Sequence, residues 1–246
     1  MCLPMNSGAE AVETAIKSSR RWAYRTKKVE PGKAEIIVAE GNFHGRTTTI
    51  ISFSTDENSK EDFGPHTPGF KAVKYGCSKS IETAINENTA AVLIEPIQGE
   101  GGIIVPPENY LREVREICTK NNVLMLLDEI QSGLGRTGKL FAYQHSCGDC
   151  NCNIGCEDDQ VRESRPDGLI LGKALGGGFM PVSCFLTSKE VMQWMDPGSH
   201  GSTFGGNPLA AAIAKRSLEL LDEEDLIENS RLMGDYFKES LLGMNS

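Results

Sequence analysis

An amine and a carboxylate close two of the most apolar runs in this chain. Lys173 ends Asp167-Gly-Leu-Ile-Leu-Gly-Lys173 and leads into Ala-Leu-Gly-Gly-Gly178, while Asp128 follows Val123-Leu-Met-Leu-Leu. Such runs read as buried strands, and in an open α/β sheet the carboxyl ends of the strands face one ligand crevice. A lysine able to form a Schiff base, with an aspartate for a pyridinium nitrogen, is how proteins hold pyridoxal phosphate. A Lys–Asp ion pair capping two strands accounts for the same two residues, and on these positions alone both readings stay open.

Two segments could receive an anion. In Asn6-Ser7-Gly8-Ala9-Glu10 the Ser7 to Glu10 spacing fits a capping box, so a helix begins there and its first amides point outward. In Gly201-Ser-Thr-Phe-Gly-Gly-Asn-Pro208 two hydroxyls stand in a glycine-rich loop ahead of a helix. An ordinary helix cap and a flexible loop are the plain alternatives. Gly172-Lys173 is not a Walker A motif, because its spacing from Gly168 is too short and Ala174 stands where Ser or Thr is required.

These groups need a scaffold, and the pattern supplies one. Apolar β-type runs occur at 36–39, 72–75, 91–94, 123–127, 168–171 and 182–186. Helical patterns fall between several of them. From Glu10 to about Lys27, Val12, Ala15, Ile16, Ser19, Trp22 and Ala23 share a face; from Tyr110 to Asn121, Leu111, Val114, Ile117 and Cys118 do. Strands alternating with helices predict the α/β class, a mostly parallel sheet with helices on both faces. Asn207 reads as an N-cap with Pro208 at the first helical position, and 225–242 as a last amphipathic helix.

With 246 residues the chain could form one large α/β domain or two small ones, and 39% hydrophobic content is ample for a buried core. No stretch approaches the roughly 18 consecutive apolar residues of a membrane span. A formal net charge of −9 argues against nucleic acid or an anionic membrane as partner, while leaving room for a local cationic pocket. Eight cysteines without a secretory signal suggest reduced thiols.

Six segments in order resemble the class-III aminotransferases, and among them the ornithine branch. They are Met5-Asn-Ser-Gly-Ala-Glu-Ala11, Gly41-Asn-Phe-His-Gly-Arg-Thr47, Glu95-Pro-Ile-Gln-Gly-Glu100, Leu127-Asp-Glu-Ile-Gln-Ser-Gly-Leu-Gly-Arg-Thr-Gly138, Leu171-Gly-Lys-Ala-Leu-Gly-Gly-Gly178 and His200-Gly-Ser-Thr-Phe-Gly-Gly-Asn-Pro208; Phe63-Gly-Pro-His-Thr-Pro-Gly69 points to that branch. The resemblance implies the fold-type I large domain of pyridoxal-phosphate enzymes. In it Lys173 carries the cofactor and moves protons, and Asp128 keeps the pyridine nitrogen protonated. Phe43 and Ile130 cover the ring faces, Gln131 meets its phenolic oxygen, and His44 joins the cofactor contacts. Ser7, Gly8 and Ala9 receive the phosphate, and Ser202 and Thr203 complete it from the neighbouring subunit of a homodimer. Arg46 grips a substrate carboxylate, and Glu100 pairs with an arginine beyond this chain. The implied reaction passes an amino group from L-ornithine to 2-oxoglutarate; another ω-amino acid donor, acetylornithine or 4-aminobutyrate, is the alternative.

The same resemblance divides the chain into a cofactor-binding large domain over 1–224, with 225–246 opening a C-terminal helix toward a small domain outside the chain. A cytoplasmic location is expected, with the mitochondrial matrix as the alternative. One segment, 146–164, reads as an insertion, and Cys147, Cys150, Cys152 and Cys156 in it have a spacing that four thiolates could use for zinc or an iron–sulfur cluster. Redox-labile thiols or a plain exposed loop fit that spacing too, so a non-catalytic, metal- or redox-responsive protein is the reading from a different class.

Overall fold

The computed structural model describes residues 1–147 and 164–244. The strands are β1 (Cys2–Met5), β2 (Glu35–Ala39), β3 (Phe70–Val73), β4 (Thr89–Ile94), β5 (Leu124–Asp128), β6 (Gly168–Leu171) and β7 (Ser183–Thr187). Among the described residues they form one sheet in the order β1-β7-β6-β5-β4-β2-β3. The pairs from β3 through β6 are parallel, and β7 and β1 add an antiparallel edge. The helices are α1 (Gly8–Trp22), α2 (Thr48–Ile51), α3 (Ser78–Ala84), α4 (Tyr110–Lys120), α5 (Lys189–Met192), α6 (Pro208–Glu223) and α7 (Leu226–Gly243). The mostly parallel α/β class expected from the alternating pattern is the one observed.

Alternation along the parallel strands divides the core in two. Ile37, Val92, Met125 and Leu127 point to the face packed by Ile81 of α3, Val114 of α4 and Ala210 of α6. Ile36, Val38, Leu93, Leu126 and Ile170 point to the opposite face, packed by Val12, Ala15 and Ile16 of α1, Ile50 of α2 and Val191 of α5. Because both faces are covered, the central strand β4 is buried at every position and reads as a continuous apolar run.

The six expected apolar runs all become strands with small shifts: β3 lies two residues earlier than expected and β4 starts two residues earlier. β1 was not foreseen: four residues with a proline and no alternation carry no strand signal, and they become one only by pairing with β7. Ser7 caps α1 as its spacing predicts, accepting the Glu10 amide while Glu10 Oε2 accepts the Ser7 amide at 2.6 Å. The helix then widens into a π turn over Ala23–Lys27 and stops at Lys28, whose φ of 65° ends the helical path. Asn207 caps α6 through the Ala210 amide, with Pro208 at the first turn. α7 is attached chiefly at its start, where Ile227 is buried, while Leu232, Met233, Tyr236 and Phe237 are exposed. The candidate metal ligands Cys150, Cys152 and Cys156 lie outside the described residues, as does the side chain of Cys147; no metal-ligating cluster occurs among the described ones.

Two buried positions near the strand ends hold this arrangement tightly. At Gly168 a Cβ would come within 2.6 Å of Leu126 Cδ2 and 2.7 Å of Phe185 Cε2, so the strand approaches its neighbours more closely than any side chain permits. Gly168→Ala is expected to cost about 1–3 kcal/mol, read as a lower urea midpoint at unchanged slope.

Glu129 ties the turn after β5 to the segment before residue 147. Its Oε2 accepts Ser132 Oγ at 2.7 Å and the Ala142 amide at 3.0 Å, and its Oε1 accepts the Tyr143 amide at 2.9 Å. Burial outweighs these three donors and, with Asp128 adjoining, pushes the carboxyl up from 4.5 to about 7. A folded value above the ordinary one gives stability that is fully present below pH 4.5 and lost as pH rises through 7. The stability of the wild type relative to Glu129→Gln, which does not titrate, should therefore fall by about 3 kcal/mol between pH 4.5 and 8 in urea titrations.

Candidate active site

The carboxyl ends of four parallel strands deliver the chemistry to one place. Asp128 is the last residue of β5, and in the parallel ladder it pairs with Ile170 of β6, so Lys173 emerges three residues past that register point. The loop after β2 brings Phe43, His44 and Gly45; the loop after β4 brings Glu95, Ile97 and Glu100; the turn after β5 adds Ile130 and Gln131. With Gly8 and Ala9 at the start of α1 these side chains line one cavity of ≈ 210 Å³. This is where ligands bind in open α/β sheets.

Lys173 opens a short 3₁₀ turn, Lys173–Gly176, with φ at 41°, the left-handed region that a side chain ordinarily avoids. Strain of this kind costs about 1–3 kcal/mol and is held in place by the packing of β6 and Leu175 beneath it. The strained turn sends the amine out of the strand and into the cavity wall, where it is exposed.

Asp128 is the opposite case, a carboxylate only 5% exposed. Such a group persists in a core only when partnered. His44 Nδ1–H donates to its Oδ2 at 2.7 Å and the Ile130 amide donates to its Oδ1 at 3.0 Å. Each oxygen has taken one bond and keeps a lone pair for a further donor. Behind this pair stands Glu95, buried, accepting the Phe43 amide at 3.0 Å and the Gly99 amide at 3.3 Å. Desolvation raises its carboxyl above the usual range despite His44 and these amides.

At the other end of the cavity the helix start is arranged for an anion. Ser7 satisfies the Glu10 and Ala11 amides, so Gly8 and Ala9 present the amides that helix geometry leaves for a ligand. A Cβ on Gly8 would come within 2.9 Å of Ile130 Cδ1, so the backbone reaches the cavity only because no side chain is there. An exposed amine, a buried carboxylate with acceptor capacity, an aromatic and an aliphatic wall, and an anion cradle together fit pyridoxal phosphate; the buried His44 Nε2, which has no hydrogen-bond partner among the described residues, lies in the same wall.

Of the residues expected to act here, Gly8, Ala9, Phe43, His44, Glu100, Asp128, Ile130, Gln131 and Lys173 come together around this cavity. Gln131 Nε2 donates to Glu100 Oε1 at 3.3 Å, and Gly99 makes room for it, since a Cβ there would overlap the Gln131 carbonyl. Arg46 lies next door in a hollow of ≈ 320 Å³ shared with Phe43 and Glu100, its guanidinium 5.7 Å from the Phe43 ring centroid. Ser7, Ser202 and Thr203 stand outside the cavity lining. Ser202 Oγ accepts Asn6 Nδ2 at 2.8 Å and Thr203 is exposed. Sequence reading missed the role of Glu95, although a carboxylate closing the apolar run 89–94 is the same signal that marked Asp128.

The sequence matches the class-III aminotransferase family over residues 1–246. It is 51% identical to the ornithine aminotransferase of Brevibacillus brevis over all of the chain and 58% of that protein, and 54% identical to ornithine aminotransferase 2 of Staphylococcus aureus over 97% of the chain and 56% of that protein. Among solved structures it is similar to the ornithine aminotransferase of Toxoplasma gondii ME49 (42% identity, TM-score 0.88, 97% of this chain and 53% of that one) and to the acetylornithine aminotransferase of Elizabethkingia anophelis (46% identity, TM-score 0.80, 98% and 55%). The chain thus spans a little over half the length of these relatives. With a family match along its whole length and an α/β sheet that superposes on theirs, the chain belongs to the class-III aminotransferases, whose cofactor is pyridoxal phosphate.

Proposed function

We propose that this chain is the cofactor-binding part of an aminotransferase that moves the δ-amino group of L-ornithine to 2-oxoglutarate, giving glutamate 5-semialdehyde and glutamate. The observation that carries the reading is the convergence of Lys173 and Asp128 on a single cavity beneath the Gly8 and Ala9 amides. When bound, pyridoxal phosphate supplies the electron sink for the pair left by a broken C–H bond.

The chain's own residues do the rest. Lys173 Nζ would anchor the cofactor and, once displaced by substrate, would carry the proton from the reacting substrate carbon to the cofactor's C4′ carbon. Asp128 keeps a proton on the pyridine nitrogen because its carboxylate is desolvated and oriented by His44 and the Ile130 amide. Phe43 and Ile130 exclude water from the two ring faces. Gln131 lies beside them for the phenolic oxygen, and its hydrogen bond to Glu100 holds both side chains at the substrate end. Arg46 offers a bidentate fork to a substrate carboxylate.

Residues 1–224 form the cofactor-binding domain in this reading, and 225–246 begin a second unit. Ser202 and Thr203 reach the phosphate of a neighbouring copy, so the working form is a homodimer. Their exposed loop, which also carries Phe204 at 70% exposure, supports that assignment. Among the described residues no helix is long and apolar enough to cross a membrane, and the cytoplasm is the proposed compartment.

Adding pyridoxal phosphate to the purified chain, reducing with borohydride and mapping the adduct tests the reading. Modification confined to Lys173 is expected, with none in Lys173→Ala. Asp128→Asn should weaken retention about tenfold or more, the worth of a charge-assisted hydrogen bond. Labelling scattered over surface lysines would overturn the cofactor site. If ornithine does not bleach the loaded chain's visible band faster than acetylornithine or 4-aminobutyrate, the donor assignment fails.

A further inference from the structure

α1 grips a loop that the proposed chemistry depends on, through contacts that one imidazole makes specific. Ser202 and Thr203 sit on the segment between α5 and α6, and four side chains along α1 and its cap hold that segment. Asn6 Nδ2 donates to Ser202 Oγ at 2.8 Å, Lys17 Nζ to the Ser199 carbonyl at 3.4 Å, and Arg21 pairs with Asp196 at 3.0 Å. Between them His200 bridges two turns of the helix, with Nε2 2.8 Å from Thr14 Oγ1 and Nδ1 2.9 Å from Lys17 Nζ.

The tautomer follows from the partners. Lys17 has only protons to offer, so Nδ1 must be the bare, accepting nitrogen, and the ring proton sits on Nε2. Thr14, fully buried, spends its own hydroxyl proton on the Glu10 carbonyl at 2.7 Å and accepts from Nε2–H. An imidazolium would set a second cation against the Lys17 ammonium. Desolvation and Lys17 lower the proton affinity of His200, while Glu13 acts the other way; Lys17 and Glu13, both on α1, are the charged groups that face it. The ring is therefore a neutral bridge with one donor and one acceptor, both engaged.

We propose that His200 is a positioning residue that sets the loop carrying Ser202 and Thr203 in place, so that their hydroxyls are ordered before a phosphate arrives. Beside this bridge the loop is held by the Asn6, Lys17 and Arg21 contacts and by Ser202 Oγ, which turns inward to accept the Gly205 amide at 3.1 Å, while Gly198, Gly201, Gly205 and Gly206 offer no side chain of their own to anchor it. The link to phosphate rests on the reading of Ser202 and Thr203 given above. The ordering of the loop does not.

Amide hydrogen exchange of the cofactor-free chain decides the ordering. His200→Leu and Thr14→Val, which break the bridge from either side, should speed exchange of the 198–206 amides about tenfold, one hydrogen bond's worth. His200→Gln, with an amide that can donate to Thr14 and accept from Lys17, should stay within about twofold of wild type. As pH falls through the imidazole titration, the wild-type loop should lose protection relative to His200→Gln at the same pH. Unchanged exchange in both bridge-breaking variants, or a failure of His200→Gln to restore protection, would overturn the proposal. On the loaded chain, His200→Leu should lower pyridoxal-phosphate retention about tenfold and His200→Gln should not; a loosened loop with unchanged retention would break the link to phosphate. Absence of any Lys173 adduct in wild type would count against the cofactor reading, while the exchange result still decides the role of His200.

Discussion

A carboxylate buried at the end of a central strand must be given partners, and much of the site follows from that demand at Asp128. Burying an unpaired charge costs several kcal/mol, so β5 cannot end there unless other segments fold over it. The turn after β5 supplies the Ile130 amide from two residues away, and the loop after β2 supplies His44 from 84 positions away in the sequence. That loop delivers Phe43 and Gly45 to the same wall and is itself pinned by Glu95, which accepts the Phe43 amide. One desolvated acid thus fixes the positions of an aromatic wall, an imidazole and a second carboxylate.

The opposite end of the cavity is governed by α1. Its capping box, tightened by Asn6 donating to Glu10, orients the Gly8 and Ala9 amides, and Ser183 of β7 donates to the Ser7 carbonyl at 2.6 Å, tying the helix start to the sheet. The same helix packs Val12, Ala15 and Ile16 into the core, so the anion cradle is as rigid as the hydrophobic contact behind it. The chain's net charge of −9 does not stand against an anion at the Gly8 and Ala9 amides, because distant surface carboxylates are screened from them at physiological ionic strength.

Between these ends the lysine is strained and the aspartate is relaxed. A positive φ at Lys173 requires that Leu175 and Val182 hold the turn from below, and both are buried in the core. Rigid strands therefore present an exposed amine in a fixed direction, which is what the role proposed for Lys173 requires.

How much of this was legible beforehand varied with the physics. Strand positions, the start of α1 at Ser7, the cap at Asn207, and Lys173 and Asp128 as facing groups were all written locally, in apolar runs, a capping spacing and glycines, because those signals act within a few residues. β1 was not, since Cys2–Met5 becomes a strand only when β7 lies beside it, and neither was the antiparallel turn of β7, because periodicity carries no direction. The pairing of His44 with Asp128, the burial of Glu95 and the bridge from His200 to Thr14 and Lys17 join residues up to 186 positions apart. Sequence by itself determined most strands, the main helix starts and the ionisable groups Lys173 and Asp128 at two strand ends; only the tertiary structure decided which ends meet, because desolvation and hydrogen-bond partnering exist only once distant segments are packed together.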